Sequence, residues 1–192
     1  MESSFCKNIL TKKKILFFEK RKKIDINNRL FNKNLGGGCI LDLGCYPVSF
    51  SVLIASIVGG INYKKFKLKN IERENYFTDV DIDAGVEICF DNTFTSKVKS
   101  SFKKALGSTT KINCEKGDLL IENTWTGQTK ITKNKDGVQE IITNQIEKNI
   151  FSYEIENISR DIFEGKNKPS FPGVSIEETK INTEILEGWL NG

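Results

Sequence analysis

The clearest pattern in the chain is an alternation. Val80, Ile82, Ala84, Val86, Ile88 and Phe90 take turns with Asp81, Asp83, Gly85, Glu87 and Cys89. A period of two places the two sets on opposite faces, which predicts a strand with one buried and one polar face. Asp91-Asn92 predicts a turn, after which Phe94, Ser96, Val98, Ser100 and Phe102 alternate again. Residues 111–114 and 119–122 flank Glu115-Lys116-Gly117-Asp118. Residues 130–133 and 138–142 flank Asn134-Lys135-Asp136-Gly137. Both arrangements predict hairpins. Consecutive hairpins through residues 62–143 predict a mostly antiparallel sheet.

The period changes on either side of this region. After Leu35-Gly36-Gly37-Gly38, Ile40, Leu41, Leu43, Phe50, Leu53, Ile54 and Ile57 recur at near-helical spacing. Pro47 predicts a kink or tightened turn there, and Gly59-Gly60 ends the helix. Phe151, Ile155, Ile158 and Ile162 predict a second helix stopping at Gly165. Ser175-Ile-Glu-Glu178 is a capping box opening a last helix. Residues 2–9 can be extended. The expected architecture is one α+β unit over residues 1–192, an open, mostly antiparallel sheet with helices on one face.

Composition narrows the chemistry. The chain has 192 residues, 29 Lys+Arg against 25 Asp+Glu, and no histidine. Histidine-based triads, dyads and metal sites are excluded, and proton transfer falls to Asp, Glu, Lys, Tyr or Cys. Cys6, Cys39, Cys45, Cys89 and Cys114 are odd in number and contain no Cys-x-x-Cys pair. With no signal peptide at the start, a reduced, cytoplasmic setting is expected. The strongly apolar stretch of residues 48–58 is too short to span a membrane. The basic run from Lys12 to Lys23, interleaved with Phe17 and Phe18, can be read as a nucleic-acid contact or as a solvated loop. Without a nucleic-acid-binding fold, the loop is the expectation.

The informative segment runs from Asn28 to Pro47. Asp42 and Tyr46 are four apart in a helical pattern, hence one turn apart on a shared face. A phenol beside a carboxylate can exchange a proton with a substrate carbonyl or alcohol when its neighbours tune it. The same spacing also fits local capping by Asp42 and core packing by Tyr46. Asp79, Asp81 and Asp83 are expected on one strand face, as a cation site or, without further ligands, a solvated polar face. No metal site is expected. Trp125 and Trp189 are expected to pack, Trp125 on a sheet face or subunit contact.

The run Leu35-Gly-Gly-Gly-Cys-Ile-Leu-Asp-Leu-Gly-Cys-Tyr-Pro-Val48 resembles the signature of the Gfo/Idh/MocA oxidoreductases. It resembles the branch holding dihydrodiol, xylose and glucose–fructose-type dehydrogenases. The strands of residues 79–90 and 96–103, the 112–121 hairpin and the closing helices follow the order of that family's C-terminal α+β domain. The resemblance implies the substrate-binding and acid–base half of an NAD(P)-dependent oxidoreductase acting on a sugar or diol. It makes Tyr46 the proton donor or acceptor at the substrate C–O, Asp42 its orienter and Arg29 a substrate contact. It places Gly36, Gly37 and Gly38 near the cofactor side, with a structural role equally open.

The family's N-terminal Rossmann domain, its G-x-G-x-x-G turn and its Glu-Lys-Pro lysine have no counterpart here. Glu19-Lys20 is followed by Arg21. The chain alone is therefore expected to bind neither NAD nor NADP and to be inactive, and a separate Rossmann-domain chain is a possible partner. The resemblance also implies a homo-oligomer through the sheet face. The alternative is a non-catalytic dimerisation or binding module derived from the family.

Overall fold

A computed structural model describes residues 6–14 and 27–192, the first stretch by its backbone. Eight strands form one sheet: β1 (Cys6–Lys14), β2 (Phe66–Asn75), β3 (Asp81–Phe90), β4 (Phe94–Ser101), β5 (Thr110–Cys114), β6 (Gly117–Glu122), β7 (Thr129–Lys135) and β8 (Val138–Asn144). Their order is β2-β3-β4-β1-β5-β6-β7-β8. β1 runs parallel to β4, and every other neighbouring pair is antiparallel. The mostly antiparallel α+β architecture expected from the alternation is the one observed. One part of the basic run departs from expectation. Lys12, Lys13 and Lys14 belong to β1 and pair with Lys99, Ser100 and Ser101, so they are strand and not loop. The remainder of that run, and Glu19-Lys20, lie outside the described residues.

Three helices follow the strands' logic to different degrees. α1 (Cys45–Ile57) and α3 (Ile176–Asn191) pack on each other and on one face of the sheet. Ile82, Ala84, Val86, Ile88 and Phe90 of β3 are buried on that face, with Phe94 and Val98 of β4. α1 contributes Val48, Val52 and Ala55, and α3 contributes Ile181, Ile185 and Trp189. Ser51 locks α1 to β4, since its hydroxyl lies 2.6 Å from Ser96 Oγ and 2.6 Å from the Pro47 carbonyl it donates to. The capping box at α3 forms, with Glu178 N–H donating to Ser175 Oγ and Ser175 N–H donating to Glu178 Oε2.

The segment ahead of α1 is not the single α-helix that its spacing predicts. Lys33–Leu35 is a 3-10 turn and Ile40–Gly44 is a π turn. Pro47 explains the break: its ring has no N–H to bond back to Leu43 and would crowd that carbonyl. A widened turn directly ahead of the proline relieves the crowding. Lys33–Ile57 is long and apolar enough to pass as a membrane span. Its apolar residues Ile40, Leu43, Val48, Val52 and Ala55 are buried in the core instead.

α2 (Ile150–Phe163) forms where its periodicity predicts, yet its apolar stripe covers nothing. Phe151, Ile155, Ile158 and Ile162 are 57–71% exposed, and among α2's residues Asp161 alone is buried. That carboxylate ties the helix to the following loop by accepting from Ser170 N–H at 2.7 Å and Ser170 Oγ–H at 2.6 Å. These bonds hold the Asp161 carboxyl down to about pKa 2.

The sheet face away from the helices is charged across β2–β4. Lys97 pairs with Glu87, Lys99 with Glu72, Lys103 with Glu74 and Lys104 with Asp83. Pairing two copies through that region would bury ion pairs, not apolar surface.

Candidate functional site

The glycine run is a compact backbone crossing. Asn28 and Asn32 cap two successive 3-10 turns by accepting from Leu30 N–H and Asn34 N–H, each at 3.0 Å. The chain then folds back on itself. Gly36, Gly37 and Gly38 N–H donate to the carbonyls of Lys33, Asn32 and Leu30. A Cβ on Gly37 would sit 2.7–2.8 Å from three backbone oxygens, so no other residue fits without a shift. Gly38 has φ +109°, a backbone conformation that side chains disfavour, and a Cβ there would overlap the Asp81 carboxylate.

Asp81 is the anchor of this crossing, and the alternation alone did not reveal it. It is 2% exposed, and its Oδ2 accepts from Ile40 N–H at 2.6 Å. The opening N–H groups of a helical segment have no partner within it, and Asp81 satisfies one from the sheet. The expected acidic row of Asp79, Asp81 and Asp83 is therefore not a single solvated face. Asp79 precedes the strand at φ 62° and pairs with Lys33, and Asp83 pairs with Lys104. No cluster of three metal-ligating side chains occurs among the described residues.

The crossing presents Arg29 and Asp42 to each other. Arg29 Nη2 donates to Asp42 Oδ1 at 2.6 Å, with the carboxylate largely covered and the guanidinium half open. Tyr46 follows one turn later, at the first turn of α1, 48% exposed. Its ring meets Trp125 edge-on, with centroids 6.3 Å apart, and Phe50 meets the same indole at 6.0 Å. Tyr46, Ser49, Phe50, Trp125, Val174 and Asn182 are among the residues lining a cleft of about 210 Å³. Trp125 is thus a wall of this cleft, reached from the β6–β7 connection by a contact no local pattern predicts. Behind the site, Gly44 packs on the buried Trp189, leaving no room for a Cβ.

Cys39 and Cys45 flank the site without pairing. Both are free thiols, and Cys39 is fully buried. Burial first, and then the Asp81 charge, push the Cys39 thiol far above its ordinary range, so it stays protonated and inert.

A pyrophosphate cradle needs backbone N–H groups pointing at the ligand. All three glycine amides of the run are already bonded to carbonyls of this chain. No G-x-G-x-x-G turn occurs in the sequence. The residues of the glycine run therefore do not fit a dinucleotide phosphate, and their role is to bring Arg29, Asp42 and Ile40 together.

Neither a protein-family model nor a curated protein matches the sequence. Solved structures do. The aldose–aldose oxidoreductase of Caulobacter crescentus, complexed with glycerol, superposes with a TM-score of 0.75 at 17% identity, over 97% of this chain and 53% of that one. KijD10, a 3-ketoreductase of Actinomadura kijaniata, matches in a Tyr-to-Phe variant with TDP-benzene and NADP. Its TM-score is 0.73 at 14% identity, over 97% of this chain and 54% of that one. The dehydrogenase MviM of Clostridium difficile gives 0.69 at 11% identity, over 98% and 55%. The chain spans about half the length of each of these structures. It has the fold of the C-terminal α+β domain of the Gfo/Idh/MocA-type oxidoreductases.

Proposed function

We propose that this chain is the substrate-binding and proton-transfer half of an NAD(P)-dependent oxidoreductase acting on a CH–OH group of a sugar or diol. The observation that carries the reading is the placement of Tyr46. Its half-exposed phenol stands at a cleft, one turn beyond an Arg29–Asp42 pair fixed by the glycine crossing. In the oxidation direction the Tyr46 oxygen takes the hydroxyl proton of the substrate. In reduction its O–H donates to the carbonyl oxygen. Asp42, held by Arg29, accepts a neighbouring substrate hydroxyl and orients it, and Arg29 contributes its exposed guanidinium edge. The fold shared with NADP-bound KijD10 supports the reaction class.

Hydride chemistry belongs to a nicotinamide held by a dinucleotide-binding half, and the residues of this chain are assigned no part in holding it. Residues 1–192 then form one unit that does not turn over alone, in a cytoplasmic setting, with the dinucleotide-binding half as its partner. The test is a fluorescence titration of purified chain with NADPH. No saturable binding is expected, and a micromolar dissociation constant overturns the assignment of roles.

One observation favours a second reading, a non-catalytic assembly module: the uncovered stripe of α2. A helix face of this kind requires a cover. Sedimentation at increasing concentration separates the two. Concentration-dependent dimerisation abolished by Ile158→Lys supports the module, and a monomer throughout counts against self-assembly.

A further inference from the structure

The cleft beside Tyr46 holds an acceptor with nothing to accept. Asn182 of α3 points its Oδ1 into the covered side of the cleft, where it is buried without a hydrogen-bond partner. Such atoms are rare in folded proteins unless a ligand or water supplies the donor. The other polar group of α3 at the cleft is not free to help. Glu178 Oε2 is committed to Ser175 N–H at 2.8 Å and to the Ser175 hydroxyl at 2.7 Å. Across the cleft stand three aromatic rings. Trp125 meets Tyr46 and Phe50 at interplanar angles of 65° and 80°, so neither ring stacks flat on the indole. The volume of about 210 Å³ accommodates one six-membered ring and is too small for a dinucleotide.

An aromatic wall facing a single buried acceptor suits a ligand with an apolar C–H face and a hydroxyl on its rim. We propose that this cleft binds one monosaccharide ring, its C–H face against Trp125 and one hydroxyl donating to Asn182 Oδ1. The assignment deepens the proposed function and rests on it in one respect: Tyr46 at the mouth is the group that meets the reacting C–O. Trp125 and Asn182 are binding residues and take no part in proton transfer. They select a closed sugar ring over an open-chain diol.

The two tryptophans make the test direct. Trp189 is fully buried, whereas Trp125 lines the cleft, so a ligand-dependent change in emission reports the cleft. Titration of the full chain with D-glucose or D-xylose is expected to give a saturable change with a millimolar dissociation constant. A ligand of about twelve heavy atoms at ordinary efficiency binds in that range. Sorbitol, the open-chain control, is expected to bind at least about tenfold more weakly, because it must pay to order its chain. Asn182→Leu removes the acceptor and should weaken binding about tenfold. Trp125→Ala, read by calorimetry, should weaken it by a similar factor, about tenfold. If Asn182→Leu does not fold by circular dichroism, Asn182→Ser serves in its place.

Tyr46→Phe keeps the ring and should bind sugar within about twofold of the parent. No saturation by about 100 mM sugar overturns the proposal. Equal binding of sorbitol, or binding unchanged by the Asn182 and Trp125 substitutions, overturns it as well. Those failures leave the assignment of Tyr46 untouched. Ring binding without any effect of Tyr46→Phe on turnover would refute that assignment while leaving the cleft.

Discussion

Asp81→Ala should destabilise the protein by about 3 kcal/mol, through a residue that touches no substrate. The carboxylate is almost fully buried and accepts from Ile40 N–H at 2.6 Å. A hydrogen bond to a charged group contributes about 1.5–3 kcal/mol, and the buried Ile40 N–H left without an acceptor costs about 1–3 kcal/mol more. These terms overlap, because one deletion causes both, and about 3 kcal/mol is their combined effect. For a domain of this size each kcal/mol moves the midpoint by about 2–4 °C, so the expected loss is roughly 6–12 °C. Asp81→Asn keeps an oxygen in place and should cost about a third as much, near 1 kcal/mol. Thermal unfolding followed by circular dichroism measures all three proteins. An alanine variant melting within 1 °C of the parent would refute the anchoring role, with that margin set at about 0.5 kcal/mol. A full-size loss in Asp81→Asn would place the energy in the charge and not in the bond to Ile40.

Two further outcomes follow from burial and charge. Ile158→Lys on the exposed stripe of α2 should change stability by less than about 0.5 kcal/mol, whereas Ile185→Ala in the core should cost about 2–5 kcal/mol; denaturant unfolding compares them, and equal losses would mean that the stripe is covered. The Asp161 carboxyl, lowered from 3.8 to about 2 by its bonds to Ser170, contributes stability that is complete above its unfolded value and is lost as pH falls through about 2; hydrogen exchange of residues 161–170 between pH 5 and 2 should show this opening in the parent, and Asp161→Asn should remove the pH dependence.

Much of the architecture was legible because one face of each central strand is buried. The alternation in residues 80–90 and 94–102 survives directly as β3 and β4, since a slip of one residue would expose the whole set. The capping box of α3 is a local signal and formed as written. β2 was harder to see. A register shift between Lys69 and Glu72 breaks its period, so its apolar residues do not alternate cleanly. The π turn was hidden for a related reason, as helix-like spacing does not distinguish a widened turn from an α-turn. α2 displays the limit of periodicity: the pattern names a helix and its apolar face, but not what covers that face.

The site divides in the same way. Asp42, Tyr46 and Arg29 were visible through motif spacing and resemblance, and the structure brings Arg29 and Asp42 into contact with Tyr46 one turn on. Gly36, Gly37 and Gly38 were visible as an unusual run, but only the carbonyls they bond show that they serve the fold. Asp81 read as one of several polar strand positions, because its burial comes from a glycine turn 40 residues away. Trp125 and Asn182 meet Tyr46 only through tertiary packing, and no local pattern marks them.

The most direct test of the account is the Tyr46→Phe substitution in a working enzyme. The chain is supplied with an NADP-binding half, as a fusion to the part of KijD10 that lies outside the shared fold. Sugar- or diol-dependent NADPH formation is then followed by absorbance. Loss of the phenol proton should lower turnover by about 10²–10⁴-fold while substrate affinity stays within about twofold. Turnover equal to that of the parent would contradict the account.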